Sequence, residues 1–182
     1  MKKNRSRTLF AIALAAAVAT CGFLGCKRPA QAGSETASSA YKVIPAANSA
    51  PTWNLTDLEG KPVSSADFKG KVLVVDFWAT WCPPCVHEIP GYIEFQKKHG
   101  GDKIAIVGLS LDEIPAADVK KFAQAKGINY PVAIASQELL AQFASVEGIP
   151  ATFVIDREGK LRFMKVGSAP IEDLEKVVAS LL

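Results

Sequence analysis

The sequence predicts an α/β domain in which a central mixed sheet is flanked by helices. From residue 51 onward, apolar runs of strand length alternate with longer segments of helical periodicity, which is the pattern of such folds. The chain has 182 residues, enough for one domain and an export segment, and its hydrophobic content of 49% supports a sizeable core. We therefore expect one packed domain over residues 51–182.

The strands are predicted from apolar runs and from the turn residues between them. Residues 71–78 and 103–111 are nearly unbroken apolar runs, as expected for strands that are buried on both faces. Turn-forming residues at 57–60 and 157–159 indicate two hairpins. In chain order, the predicted strands are 53–56, 61–64, 71–78, 103–111, 132–135, 151–156 and 160–166.

The helices are predicted from apolar periodicity and from the residues at their ends. Pro115 and Gly127 bracket one helix, and Pro170 with two acidic residues begins the last. Pro90 lies inside the first helix and should kink it. In chain order, the predicted helices are 83–99, 115–126, 137–145 and 171–182.

Residues 1–26 have the pattern of a signal peptide or a membrane anchor. Basic residues precede an uncharged, Ala-rich stretch from Leu9 to Leu24, which is short for a membrane span. Three outcomes stay open: lipidation of Cys26 at a loose bacterial lipobox, cleavage after Ala32, or retention as an uncleaved anchor. Each outcome exports the domain, so we expect a periplasmic or other extracytoplasmic location. Because lipidation and retention would also hold it at a membrane, we expect membrane anchoring through this segment.

Residues 27–50 are rich in Ala, Ser, Pro and Asn and show little periodicity, which indicates a flexible linker. Charge is distributed unevenly along the chain. Residues 1–50 carry seven Lys or Arg and one acid, whereas residues 51–182 carry fourteen Lys or Arg and seventeen acids. The domain is therefore mildly acidic and has no basic tract, so we expect no nucleic-acid partner.

The stretch from Trp81 to Cys85, with the sequence WCPPC, joins a predicted strand to a predicted helix. The N-terminus of a helix stabilises a thiolate, because its unpaired N–H groups and its dipole present positive charge. A thiolate is the species that attacks disulfides. The spacing of Cys82 and Cys85 in this context therefore indicates dithiol–disulfide exchange.

Three other uses of the Cys82–Cys85 pair compete with exchange. Zinc needs four ligands, and the predicted domain adds only His87 and His99, so no metal site is expected. A c-type haem needs a histidine directly after the second cysteine, where Val86 stands. A permanent structural disulfide would close a tiny loop and add little stability, and it stays open as a less favoured alternative.

Four stretches make the chain resemble thioredoxin-fold proteins of the thiol–disulfide oxidoreductase group. This group includes the membrane-tethered, extracytoplasmic reductases of cytochrome c maturation. The four stretches are Val75 to Cys85, Glu88 to Pro90, Gly148 to Pro150, and the hairpin from Asp57 to Val63. The resemblance covers residues 51–182 and implies a thioredoxin fold with an N-terminal β-hairpin and a central αβ insert within residues 103–135.

The resemblance also implies roles for individual residues. Cys82 would be the exposed nucleophile, and Cys85 would be the buried cysteine that resolves the mixed disulfide. Glu88 would be a functional neighbour of the pair, although simple stabilisation of the helix N-terminus stays open. Pro150 would follow a cis peptide bond that turns Ile149 toward the substrate, against the alternative of a trans proline that begins a strand.

Asp76 and Trp81 are two further candidates for the site. Asp76 lies in an apolar run, six residues before Cys82. If it is buried beneath the cysteines, its pKa should be raised and it could take a proton from Cys85, whereas a solvent-facing position would leave it without this role. Trp81 should cover the disulfide and line the contact surface, while Trp78 belongs to the core.

The expected function is therefore that of an extracytoplasmic enzyme that reduces disulfides in a client protein. The resemblance implies a membrane protein as electron donor and no cofactor. Two alternatives stay open: a disulfide oxidant or isomerase of the same fold, and a non-catalytic binding module with a permanent Cys82–Cys85 disulfide.

Overall fold

A computed structural model describes residues 40–45, 48–144 and 148–182. The predicted export segment, with Cys26, lies outside the described residues, as does most of the predicted linker. Across the described residues, strands and helices alternate in the predicted order. None of the helices in this part of the chain is long and apolar enough to cross a membrane.

The strands form a six-stranded mixed sheet and a separate two-stranded sheet. β4 is central, pairing in parallel with β5 and antiparallel with β7, so it is buried along its whole length. The sheet order is β1-β8-β7-β4-β5-β6, and β2 pairs with β3. The strands are β1 (Lys42–Val43), β2 (Asn54–Thr56), β3 (Pro62–Ser64), β4 (Val72–Trp78), β5 (Ile104–Ser110), β6 (Val132–Ile134), β7 (Ala151–Ile155) and β8 (Leu161–Val166).

In the part of the chain that the structure describes, four helices cover the two faces of the large sheet. Val72, Val74 and Trp78 of β4 pack with apolar side chains of α1, α2 and α4 on one face, and Leu73 and Val75 pack with α3 on the other. Alternate residues of β4 therefore enter two separate cores. The helices are α1 (Pro83–His99), α2 (Ala116–Lys126), α3 (Gln137–Phe143) and α4 (Ile171–Ala179).

The predicted hairpin and the predicted insert meet at one edge of the large sheet. β2 and β3 form the hairpin, and the Leu58 N–H in its turn donates a hydrogen bond to the Val132 carbonyl at 2.8 Å. α2 and β6 lie within residues 103–135, and β6 extends the sheet beyond β5. A 3₁₀ helix at Ser65–Phe68 was not predicted.

The boundary of the predicted linker needs a correction. Its residues 42–43 form β1, which pairs with β8, and the Ile44 N–H donates a hydrogen bond to the Arg162 carbonyl at 2.8 Å. Tyr41 is only 5% exposed. The packed domain therefore extends to Tyr41 on its N-terminal side. The prediction missed this strand because two residues at a sheet edge are too few to show a hydrophobic periodicity.

Candidate active site

Cys82 and Cys85 form a disulfide at the junction of β4 and α1. Cys82 is the N-cap residue of α1, and its Sγ is bonded to that of Cys85 at 2.03 Å. The same Sγ accepts a hydrogen bond from the Cys85 N–H at 3.3 Å. Pro83 and Pro84 begin the helix. Proline has no backbone N–H group, but residues at this position do not donate a hydrogen bond within the helix, so none is lost. The pair therefore lies where a helix N-terminus stabilises a thiolate.

The loop that presents Cys82 is anchored to the end of β5. The Thr80 N–H and hydroxyl donate hydrogen bonds to the two carboxylate oxygens of Asp112, at 2.9 and 2.6 Å. The Ser110 hydroxyl donates to the same carboxylate at 2.7 Å. Asp112 is a positioning residue that sequence reasoning missed. A polar residue directly after a buried strand is the signal that could have identified it.

Cys82 lines a groove of about 660 Å³ on the surface of the domain, together with Trp81, Leu140 and Ile149. In the disulfide form, Cys82 is 4% exposed and Cys85 is 2% exposed. The expectation that Cys82 is the exposed cysteine is therefore wrong for this disulfide form, in which Cys82 Sγ is bonded to Cys85 and lies beside the Ile149 carbonyl oxygen. Access to Cys82 comes from the groove that it lines.

The peptide bond between Ile149 and Pro150 is cis, as the sequence predicts. The carbonyl oxygen of Ile149 lies 3.7 Å from Cys82 Sγ. The Pro150 carbonyl accepts a hydrogen bond at 2.8 Å from the Gly167 N–H, just after β8. These contacts hold the backbone before β7 beside the disulfide.

The two tryptophans near the disulfide have different environments. Trp81 is 63% exposed and lines the groove next to Cys82. Trp78 is 1% exposed and packs against Phe122 of α2, with ring centroids 5.9 Å apart. Trp78 is therefore a core residue as predicted, and Trp81 is the aromatic surface available at the groove.

Asp76 is 3% exposed, so the alternative of a solvent-facing position is wrong. Its Oδ1 accepts a hydrogen bond from the Thr152 hydroxyl at 3.2 Å, and that hydroxyl lies 2.9 Å from the Tyr92 hydroxyl. Burial raises the pKa of Asp76 to about 7; Glu88 adds to the rise, while Lys165 and the hydrogen bonds oppose it. A carboxyl that titrates near neutral pH can exchange a proton with a thiol.

Glu88 forms a buried ion pair that was not predicted. Its Oε1 accepts hydrogen bonds from Lys165 Nζ, at 2.5 Å, and from the Ala169 N–H, at 2.9 Å. The side chains of Glu88 and Lys165 are 7% and 1% exposed. Glu88 lies beyond the first turn of α1, so the ion pair replaces the simpler interpretation as a helix-end charge.

Lys165 and Tyr41 complete the buried polar cluster, and sequence reasoning missed both. Lys165 Nζ lies 5.9 Å from the centroid of the Tyr41 ring. Burial raises the pKa of Tyr41, with Asp76 and Glu88 adding to the rise, so its hydroxyl stays protonated. Phe163 and Lys165 are two residues apart and so share one face of β8, but this spacing does not show that the shared face is the one that packs against α1.

His87 lines a cavity together with Tyr41, Glu88 and Tyr92, whereas His99 is the last residue of α1. His87 is exposed on α1, and His99 Nε2 lies 3.1 Å from Glu175 of α4. Within residues 40–45, 48–144 and 148–182, no group of three or more His, Cys, Asp or Glu is arranged to hold a metal ion.

Known proteins are similar to this chain in sequence and in fold. The AhpC/TSA family matches residues 46–164. The thiol-disulfide oxidoreductase ResA of Bacillus thuringiensis (strain Al Hakam) is 34% identical over 180 residues, covering 96% of this chain and 95% of that protein. The thioredoxin-like protein YneN of Bacillus subtilis (strain 168) is 31% identical over 129 residues, covering 70% and 75%.

Solved structures give the same picture. A thiol:disulfide interchange protein of the thioredoxin family from Chlorobium tepidum TLS has a TM-score of 0.69 and 35% identity, covering 76% of this chain and 98% of that chain. A putative thiol:disulfide interchange protein DsbE from Chlorobium tepidum has a TM-score of 0.66 and 31% identity, covering 74% and 96%. The chain therefore belongs to the AhpC/TSA family, and it is a protein-disulfide oxidoreductase with a thioredoxin fold and a Cys82–Cys85 redox pair.

Proposed function

We propose that the enzyme reduces disulfides of a client protein outside the cytoplasm, while it is tethered to a membrane. The observation that supports this best is the position of Cys82, at the N-cap of α1 and on the wall of the groove beside Ile149. The reducing direction and a place in cytochrome c maturation are supported by the resemblance of the motifs around Cys82 and Glu88 to the extracytoplasmic reductases.

The exchange proceeds through two transfers between sulfur atoms. The Cys82 thiolate attacks one sulfur of the client disulfide, which forms a mixed disulfide and releases the other client sulfur as a thiolate. The Cys85 thiolate then attacks Cys82 Sγ, which frees the second client sulfur and closes the Cys82–Cys85 disulfide. Two electrons pass to the client, and the enzyme is left in the oxidised form that the structure describes.

Asp76 is the proposed acceptor of the Cys85 proton. It lies on the sheet face that packs against α1, the helix that carries Cys85. Because burial raises its pKa to about 7, the carboxyl can take up a proton near neutral pH and then lose it again. Glu88 acts beside it, through its effect on Asp76 and its ion pair with Lys165.

Trp81, Ile149 and Pro150 are the proposed contacts with the client. An extended client segment in the groove would lie along the Ile149 backbone, next to Cys82 Sγ. Trp81 offers a large exposed ring at the same groove. Contacts of this kind hold the client disulfide in line with the attacking sulfur.

A membrane protein is the proposed electron donor. A dithiol that is reducing is not maintained by an oxidising compartment, so a dedicated supply of electrons is needed. The tether keeps the domain close to such a donor. Its proposed basis is residues 1–26, with lipidation of Cys26 as the favoured form.

The reduction potential of the Cys82–Cys85 pair tests the proposed direction. After equilibration with glutathione, we expect a value near the roughly −270 mV of thioredoxin rather than the roughly −120 mV of a strong oxidant. A value near the oxidising end would replace the reductase with an oxidant. A protein that does not accelerate insulin reduction by dithiothreitol would instead favour the non-catalytic binding module. The Cys82→Ser variant is the control without exchange.

A further inference from the structure

Lys165, Thr152 and Asp76 form a row across three neighbouring strands. In the pairing of β8 with β7, Lys165 lies opposite Thr152, and in the pairing of β7 with β4, Thr152 lies opposite Asp76. Directly opposed residues project from the same face of a sheet. The ammonium of Lys165 and the carboxyl of Asp76 are therefore on the face that packs against α1.

The ammonium group of Lys165 is buried. Its side chain is 1% exposed, and its Nζ donates to Glu88 Oε1 and lies over the Tyr41 ring. A buried ammonium is costly unless it is paired, and this one has two acidic neighbours, Glu88 in direct contact and Asp76 across the row. Lys165 therefore contacts one carboxyl group directly and acts electrostatically on a second.

We propose that Lys165 of β8 is a positioning residue for disulfide exchange. Its ammonium holds Glu88 in place and acts electrostatically on Asp76. Through these two effects, Lys165 sets the pH range over which the exchange step proceeds. This inference deepens the proposed role of Asp76 and rests on it. Neither Lys165 nor its strand carries any of the motifs around the cysteines.

The two members of the ion pair act on Asp76 in opposite directions. Burial is the largest influence and raises the pKa of Asp76; Lys165 lowers it, and Glu88 raises it. His87 lines the cavity beside Glu88. Among the described residues, the other titratable groups that act on Asp76 in the disulfide form are three tyrosines, whose hydroxyls stay protonated because burial raises each pKa. They are Tyr41 before β1, Tyr92 of α1 and Tyr130 before β6.

Removal of one partner at a time should therefore separate the two effects. In Lys165→Met, the attraction that favours the ionised Asp76 is lost, so its titration midpoint should move to higher pH. In Glu88→Gln, a repulsion is lost and Lys165 is left with Asp76, so the midpoint should move to lower pH. A shift of one pH unit changes the ionised fraction below the midpoint about tenfold.

The midpoint can be measured on the carboxyl itself. Carbon NMR of labelled aspartate, assigned with Asp76→Asn, follows the titration of this group in the oxidised protein. The pH dependence of insulin reduction follows the same group in turnover. Arg162→Met is the matched control, because it also removes a cation of β8 that pairs with an aspartate, here Asp156, outside the cluster. It should leave the Asp76 midpoint unchanged.

Several outcomes decide the matter. If both single variants move the midpoint in the same direction, or if Lys165→Met leaves it in place, the proposal is overturned, since a purely structural ion pair would change stability alone. If Lys165→Met does not fold, the double variant Lys165→Met/Glu88→Gln removes the pair without a lone buried charge. Its midpoint should lie above that of Glu88→Gln, and an equal midpoint would equally overturn the proposal.

The NMR titration also separates this proposal from the proposed role of Asp76. If Asp76→Asn keeps the wild-type pH–rate profile, Asp76 is not the proton acceptor in turnover. The opposed shifts of its midpoint in Lys165→Met and Glu88→Gln would still show that Lys165 controls the carboxyl. Opposed shifts of the midpoint without any shift in the pH–rate profile would overturn the assignment of Lys165 to exchange.

Discussion

Cys82 Sγ lies 3.7 Å from the carbonyl oxygen of Ile149, although the two residues are 67 positions apart in the chain. The antiparallel pairing of β7 with β4 brings them together, because Ile149 stands just before β7 and Cys82 just after β4. Cys82 and Ile149 therefore line the same groove, in which we propose that the client disulfide binds.

The first prediction concerns which cysteine attacks. Cys85→Ser should accumulate a mixed disulfide with a small disulfide substrate, because Cys82 can still attack but nothing resolves the product. Cys82→Ser should accumulate none, since Cys85 is the cysteine further inside α1. Mass spectrometry of the two variants under non-reducing conditions measures the adduct. A trapped adduct in Cys82→Ser alone would reverse the assignment.

The second prediction concerns the exposed ring of Trp81. Trp81→Ala should lower kcat/KM for a protein client about tenfold, or about 1.4 kcal/mol, because exposed tryptophans often anchor interfaces. The rate with a small disulfide should stay the same, and the free energy of unfolding should change by less than about 0.5 kcal/mol. Steady-state kinetics with both substrates measure the difference.

Ile114→Ala is the matched control for Trp81. Ile114 is also an exposed apolar residue, at 45% against 63% for Trp81, but it does not line the groove. It should leave both rates unchanged. Equal losses in the two variants would mean that general surface hydrophobicity, rather than this groove, holds the client.

The position of the cysteine pair could be predicted from the sequence, because it depends on residues close to it in the chain. The apolar run from 71 to 78 and the helix starts at Pro83 and Pro84 fix the position of the pair. The cis peptide bond before Pro150 followed from the resemblance and is confirmed. The burial of Asp76 is confirmed too, since an acid inside an unbroken apolar run has no solvent face to occupy.

The rest of the cluster depends on pairings that a sequence does not display. Lys165 reads as an ordinary exposed residue of a strand, and only the register of β8 against β7 brings it toward Asp76. Tyr41 precedes a two-residue edge strand inside a stretch whose composition indicates a linker. Both residues are found through long-range packing rather than local periodicity.

The third prediction links Asp76 to stability. Its pKa is about 7 in the folded protein against 3.8 ordinarily, so the folded state binds the proton more tightly. The contribution of Asp76 to the free energy of unfolding is fully present below about pH 4. It is lost as the pH rises through about 7, which lowers the free energy of unfolding by up to about 4 kcal/mol. Asp76→Asn should remove this loss. Urea denaturation of the oxidised protein at about pH 5 and about pH 8 measures it.

Asp156→Asn is the control with the opposite sign. Burial tends to raise the pKa of Asp156, but hydrogen bonds from Arg162 and from two backbone N–H groups lower it overall. The contribution of Asp156 to the free energy of unfolding is therefore present at neutral pH, and it is lost when the pH falls through the lowered pKa. This variant should weaken the protein at neutral pH and keep the decline toward high pH. A decline that persists in Asp76→Asn would show that another group causes it.

The fourth prediction tests where the domain begins. Tyr41→Ala should lower the free energy of unfolding by about 3 kcal/mol, because it empties a buried aromatic site. Val43→Ala, in the adjacent strand, should cost less than about 0.5 kcal/mol, since Val43 is 71% exposed. A chain shortened to residues 51–182 should be destabilised at least as much as Tyr41→Ala. If it unfolds like the full domain, the boundary at residue 51 stands.

The last prediction concerns the export segment. Lipidation of Cys26 should place the full chain in the membrane fraction and allow a labelled fatty acid to be incorporated. Cys26→Ser should lose the label. Cleavage after Ala32 would give a soluble protein that begins at Gly33, and an uncleaved anchor would hold both forms in the membrane without label. Cell fractionation, with sequencing of the mature N-terminus, separates the three outcomes.

Loss of membrane anchoring should leave the disulfide-exchange activity of the domain unchanged. If the Cys26→Ser protein fractionates as soluble, it still keeps Cys82, Asp76 and the groove, so its catalysis of insulin reduction by dithiothreitol should match that of the wild type. Reduction of the client in cells should fall, because the anchor raises the effective concentration of the domain near a membrane donor. Equal reduction in cells by both forms would mean that the donor reaches the enzyme in solution.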